Sequence, residues 1–147
     1  MTSTLDKQME RASAALARMD YLTCEALCVE ALAEARRQRR WQYYARILLP
    51  LQEARRQRRQ LAAEGTIRLG TASLSGAPGD WLSEIEAGCI VVSPPHGRAD
   101  ASALWEAARQ QRRYVEVLLT DSDLDADTWR IVAFTGPLAR SRLLDFS

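Results

Sequence analysis

An α/β fold is what this sequence predicts, with antiparallel helical hairpins first and then a small, mostly parallel βαβαββ sheet. Three observations carry that expectation. All seven Gly and four of the five Pro fall after residue 64, so a boundary near Gly65 separates a helical region, 1–64, from a small α/β domain, 65–147. Before the boundary, apolar residues recur at helical spacing. After it, short continuous apolar runs alternate with helix-like stretches, the pattern of strands joined by crossovers.

The first helix is expected from about Thr4 to Arg18. In the second, Cys24, Leu27, Cys28, Ala31 and Ala35 share one face, and in the third, from about Trp41 to Ala63, Tyr44, Ile47, Leu48 and Leu51 do the same. Pro50 lies inside that third pattern and is expected to kink it, because its nitrogen cannot donate to the Arg46 carbonyl. Thr66–Leu69 then reads as a short strand and Asp80–Ala87 as a helix with an acidic start, stopped by Gly88. Cys89–Val92 is a continuous apolar run, the mark of a strand buried on both faces. Asp100 or Ser102 can cap a helix that runs to about Arg113, and Tyr114–Leu119 is another buried strand. The Thr120–Thr128 connection is too short for a crossover helix, so the last strand, Trp129–Phe134, is expected to be antiparallel and at an edge. The whole resembles half of a Rossmann-type or flavodoxin-type sheet.

Composition narrows the function classes. At 147 residues and 47% apolar, the chain has enough apolar side chains for a core and is not a disordered polymer. A net charge of +1 gives no global field toward nucleic acid or membrane. Nineteen of the 20 basic residues are Arg, a bias typical of GC-rich bacterial genomes. The charged N-terminus is not a signal peptide, no run is long enough to span a membrane, and three cysteines make no disulfide framework. The expectation is a cytoplasmic, reduced protein without cofactor or metal.

"EARRQRR" occurs at Glu34–Arg40 and Glu53–Arg59, with a near copy, "EAARQQRR", at Glu106–Arg113. Each copy falls toward the end of a predicted helix, where cations complement the macrodipole. Each also places a Glu three residues before an Arg, at Glu34/Arg37, Glu53/Arg56 and Glu106/Arg109. Local helix chemistry therefore predicts solvated helix ends. Residues 36–59 nevertheless carry nine Arg against one Glu, a local excess that suits a partner surface. No RNA or DNA motif accompanies it, and in a hairpin the first two copies would lie about 22 Å apart.

In open parallel sheets, ligands bind at the carboxyl ends of the strands, near a topological switch point. Three loops should converge there. "GTASLSGAPGD" contributes Ser73, Ser75 and Gly76 before a helix start, suited to a phosphate, but matches neither GxGxxG nor a Walker A motif. "SPPHGRAD" contributes Ser93, His96, the only histidine and the one weak catalytic candidate, and Arg98 as an anion holder. "TDSDLDADT" contributes Asp121 and Asp123, either of which could orient His96. That acidic turn is no EF-hand, since Ala126 and Val132 replace the Gly and the bidentate Glu. Cys24 and Cys28 lie on an apolar helix face, as small hydrophobes rather than zinc ligands.

"ARMDYLTCEALCVEALAEAR", Ala17–Arg36, resembles the turn and second helix of a tetratricopeptide repeat. Met19-Asp20-Tyr21 stands at the turn, and Cys24 and Ala31 at the positions where that family needs small side chains. The likeness covers about residues 5–60; it departs from the family at Ala12 and Ala15, where a Gly and an aromatic are usual. It implies protein binding. A unit of this length cannot bury both its faces, so helix three, with Trp41, Tyr43 and Tyr44, is expected to bridge to the sheet while helices one to three form a homodimer contact. The leading expectation is a non-enzymatic interaction or assembly module, with Trp41, Tyr43, Tyr44, Arg55, Arg56 and Arg59 at the protein contact. The alternatives are a nucleotide or phosphate site at the three-loop edge, hydrolytic through His96, and nucleic-acid binding through residues 36–59.

Overall fold

Ser3 and Asp6 start the first helix by exchanging hydrogen bonds. The Asp6 N–H donates to Ser3 Oγ at 3.1 Å, and the Ser3 N–H donates to the Asp6 carboxylate at 3.3 Å. In the computed structural model, which describes residues 3–122 and 127–134, the helical elements are α1 (Thr4–Ala17), α2 (Tyr21–Arg37) and α3 (Trp41–Ala63). Asp20 caps α2 through the Thr23 N–H, and α3 continues as helix on both sides of Pro50. The chain divides into two compact units, Met1–Gln60 and Leu61–Ser147.

Within the first unit the helices run antiparallel in succession. Gln8, early in α1, hydrogen-bonds Glu30, late in α2, and Glu25 of α2 faces Arg55 and Arg58 of α3. The core uses small side chains where the helices approach: Ala12 and Ala15 from α1, Cys24, Cys28, Ala31 and Ala35 from α2, Ala54 from α3. Leu5, Leu27, Ile47 and Leu51 fill the remaining volume. Both connecting turns reverse through a residue in the left-handed region, Met19 at φ 61° and Arg39 at φ 54°. In each, two N–H groups reach back to the helix end, Met19 and Asp20 to Leu16 and Ala15, and Arg39 and Arg40 to Arg36 and Ala35. This is the Schellman ending, with Met and Arg where Gly is usual.

The second unit is an α/β layer. Its elements are β1 (Thr66–Leu69), a 3₁₀ turn (Pro78–Leu82), β2 (Ala87–Val92), α4 (Arg98–Gln110), β3 (Tyr114–Thr120) and β4 (Ile131–Phe134). The strand order is β1-β2-β3-β4, parallel up to the antiparallel β3–β4 pair, so β4 ends the sheet as expected. Two expectations are corrected here. Asp80–Ala87 is not a helix, because only the 3₁₀ turn forms and Ala87 and Gly88 enter β2 opposite Tyr114 and Val115. Gly88 is no helix stop either. A Cβ there would stand 1.9 Å from the Thr66 carbonyl oxygen, so the close approach of β1 requires glycine. The α4 start also lies earlier than expected, at Arg98 after Gly97, with Asp100 reaching back to the Gly97 N–H at 2.9 Å.

Ile90, Val92, Val115 and Val117 point to one side of the sheet and pack with Trp81, Leu82 and Ile85 and with Ala101, Leu104 and Ala108 of α4. Both crossovers therefore cover the same face, as successive right-handed connections in a sequential strand order must. Among the described strands the order never reverses, so topology creates no switch-point crevice at this edge. No described helix is long and apolar enough to cross a membrane.

Candidate functional site

The carboxyl ends of β1 and β2 are fastened to each other by side chains. Gly70, at φ 97°, turns the chain out of β1 and delivers Thr71 beside Ser93. The Thr71 N–H donates to Ser93 Oγ at 2.9 Å, and the Ser93 N–H donates to Thr71 Oγ1 at 3.1 Å. Both residues are fully buried. Beyond Ser93 a turn through Pro94 and Pro95 closes with the His96 N–H on the Ser93 carbonyl at 2.9 Å. That turn sets His96 Nδ1 2.9 Å from Thr71 Oγ1 and the imidazole edge-on to the Trp81 ring, with centroids 4.7 Å apart.

The proton arithmetic of this cluster limits its chemistry. Thr71 Oγ1 has one proton and two possible recipients, the Ser93 carbonyl at 3.3 Å and His96 Nδ1. Given to the carbonyl, it leaves Nδ1 as a donor and Nε2 as the basic nitrogen; given to Nδ1, it fixes the opposite tautomer. Either way a hydroxyl, not a carboxylate, orients the ring. Among the described residues no carboxylate lies within ion-pair distance of His96. The Ser93 hydroxyl is sealed and already accepts the Thr71 N–H, which is not the exposed, base-facing geometry of a nucleophile.

The sequence-selected loop residues follow the carboxyl ends of β1, β2 and β3, and they differ in exposure. Ser73, Ser75 and Gly76 are exposed, as is Arg98, whereas His96 is half-buried and Ser93 buried. Asp121, expected beside His96, instead pairs with Arg130 at 2.9 Å, and that guanidinium holds its carboxyl below the usual range. Asp123 lies outside the described residues. Both helix starts at the edge already hold a carboxylate, Asp80 on the Ala77 N–H at 3.1 Å and Asp100 on the Gly97 N–H. An incoming phosphate would meet those charges where it needs free donors. Thr71, central to the cluster, carries no sequence signal of its own, because its partner Ser93 lies 22 residues further on.

In the helical unit the expected contact residues separate into two groups. Tyr43 is an internal tie: its hydroxyl donates to Asp6 at 2.9 Å, linking α3 to α1, while the Arg40 guanidinium lies 4.2 Å over its ring. Tyr44 packs on the core, and Arg55 faces Glu25 at 3.5 Å. Arg58, read from sequence as part of a solvated helix end, is instead buried, 3.2 Å from Glu25. The correction has a simple cause: α3 packs along α2, so one side of its arginine run faces the core. Trp41, Arg56 and Arg59 remain at the surface, joined by Leu49, which is 70% exposed and which the sequence reading left out. Residue spacing could have found it, since Leu49 falls away from the Ile47–Leu51–Ala54 face at 100° per residue. Cys24 and Cys28 are sealed in the helical core. Burial pushes both thiols up, Cys28 to about 12, and the Cys24 thiol donates to the Pro50 carbonyl at 3.9 Å.

Comparison with known protein families, curated proteins and solved structures finds no match for this chain.

Proposed function

We propose that this chain is a non-enzymatic protein-interaction module that docks its partner on the helical unit, with the α/β unit as scaffold. One observation carries the reading. Large apolar side chains stand in solvent on α3, Trp41 at 58% and Leu49 at 70% exposure, as Ile67 and Leu69 do on β1, while Thr71, Ser93 and His96 at the carboxyl edge are engaged with one another. Three successive antiparallel helices with Cys24 and Ala31 buried where they approach support the likeness to a tetratricopeptide hairpin, and with it protein binding. Three free cysteines, Cys24 and Cys28 of them buried, suit a reduced, cytoplasmic setting.

The test is a photo-cross-linking amino acid placed at Leu49 or at Ser73 of the chain expressed in cells. Adducts to protein from position 49, and none from position 73, are expected. The reading is overturned if position 49 gives no protein adduct, or if the purified chain retains a phosphate-bearing small molecule that the His96→Ala variant loses.

A further inference from the structure

We infer that the outer face of α3 receives an acidic amphipathic helix of a partner protein. This rests on the docking reading above and adds its surface and the partner's chemistry. At 100° per residue, Trp41, Ala45, Leu49, Gln52, Arg56 and Arg59 fall within an arc of about 80° on α3. All six are exposed, and the buried Ile47, Leu51, Ala54 and Arg58 lie on the opposite side. The stripe is about 27 Å long and changes character along its length, from apolar at its start to basic at its end. Trp41 makes an edge-on contact with Tyr44, with centroids 6.0 Å apart, and leaves more than half of its surface free as an anchor.

Charge selects the occupant. Arg46 flanks the stripe, Arg59 lies on it, and neither has a carboxylate partner among the described residues; Arg56 shares the single carboxylate of this face, Glu53, at 2.7 Å. A second copy of the chain, the homodimer that the sequence suggests, would set like-charged faces together. A partner helix with leucine-like side chains for Trp41 and Leu49, and carboxylates two to three turns further on, satisfies both halves. A stripe along one helix is matched by the ridges of another.

The experiment measures fluorescence anisotropy of a synthetic helical peptide of about 18 residues, leucines on one face and glutamates beside them, titrated with the intact chain. A peptide with lysine for every glutamate and an oligothymidylate of similar length are the comparisons. The glutamate peptide is expected to bind and the lysine peptide not. Trp41→Ala with Leu49→Ala, and separately Arg56→Gln with Arg59→Gln, should each weaken binding about tenfold. Arg36→Gln with Arg39→Gln, outside the stripe, should change it little. Equal weakening by that outside pair would mean diffuse charge attraction and would overturn the inference, as would equal binding of the lysine peptide. Tighter binding of the oligothymidylate, falling steeply with salt, would replace the partner helix with nucleic acid. If the glutamate peptide fails to bind at about 1 mM, this inference falls, while protein adducts from position 49 would leave the docking reading standing.

Discussion

Removing the carboxylate of Glu25 tests how the helical unit is held together. Glu25 and Arg58 meet across α2 and α3 at 3.2 Å with side chains 9% and 10% exposed, and Arg55, 43% exposed, approaches the same oxygen at 3.5 Å. Breaking a fully buried pair from one side costs about 3–5 kcal/mol, because the surviving charge stays in a low-dielectric site. Arg55 keeps one edge of this cluster open to water, so the expected loss for Glu25→Ala is about 2–3 kcal/mol. A unit of this size is stable by only about 3–9 kcal/mol, so the loss is a large share of the total. It corresponds to a fall in Tm of about 10–20 °C, read from helical ellipticity during thermal melting.

Two further variants make the result specific. Arg56→Gln removes an exposed pair with Glu53 and should cost less than about 0.5 kcal/mol. The double change Glu25→Leu with Arg58→Met removes both charges together and should return stability to within about 1 kcal/mol of the parent. A fall of less than about 3 °C for Glu25→Ala, or a double variant melting below the single one, would refute the reasoning.

Three other outcomes follow from local chemistry. Hydrogen bonds from Ser3 and then Tyr43 hold the Asp6 carboxyl below its ordinary 3.8. Its contribution is complete above that ordinary value and lost as pH falls through the lower folded value, so Asp6→Asn should flatten the decline of Tm below about pH 4; parallel acid limbs would contradict this. With Cys28 at about 12 and Cys24 also raised, both by burial, the helical core should yield no thiol to an aromatic disulfide at pH near 8 until the chain is unfolded. Arg39 sits at φ 54°, where glycine is strain-free, so Arg39→Gly should raise stability by about 0.5–1 kcal/mol in urea unfolding, and a lower midpoint would count against the Schellman assignment.

What the sequence could show was local. α3 and β1 fall where the Trp41–Ala63 pattern and the Thr66–Leu69 segment place them, because helical spacing ends at Gly65 and the alternating Thr-Ile-Arg-Leu segment begins at once. The segment after Asp80 misleads for a reason that is not local. Trp81, Leu82 and Ile85 have helix-like spacing, yet pairing with β3 draws Ala87 and Gly88 into the sheet and leaves room for one 3₁₀ turn. The Thr71–Ser93 fastening joins residues 22 apart, and Glu25 of α2 meets Arg58 of α3. Neither partner announces the other. Leu49 is the opposite case, legible from angular position alone once attention moves from the buried face to the remainder.

The two copies of "EARRQRR" show the same division within one motif. In both, the second residue is a buried alanine, Ala35 or Ala54, and the first is a glutamate paired with the arginine three residues on, Arg37 or Arg56. Gln38 and Gln57 donate to those same glutamates. These shared features need only a helix. The sixth residue diverges: Arg39 takes the left-handed conformation that ends α2, whereas Arg58 stays helical and is buried against Glu25. The near copy confirms which context does this, since Arg112, before β3, ends α4 at φ 55° with Arg113 reaching back to Ala108 just as Arg40 reaches back to Ala35. Where α2 offers a carboxylate and Leu61-Ala62-Ala63 continue the helical pattern, the motif extends; where Trp41 or Tyr114 must start a new element, it terminates. The recurrence is therefore a repeated helix segment, and the arginines of the second copy that do not face Glu25, Arg56 and Arg59, are the ones that the proposed docking face uses.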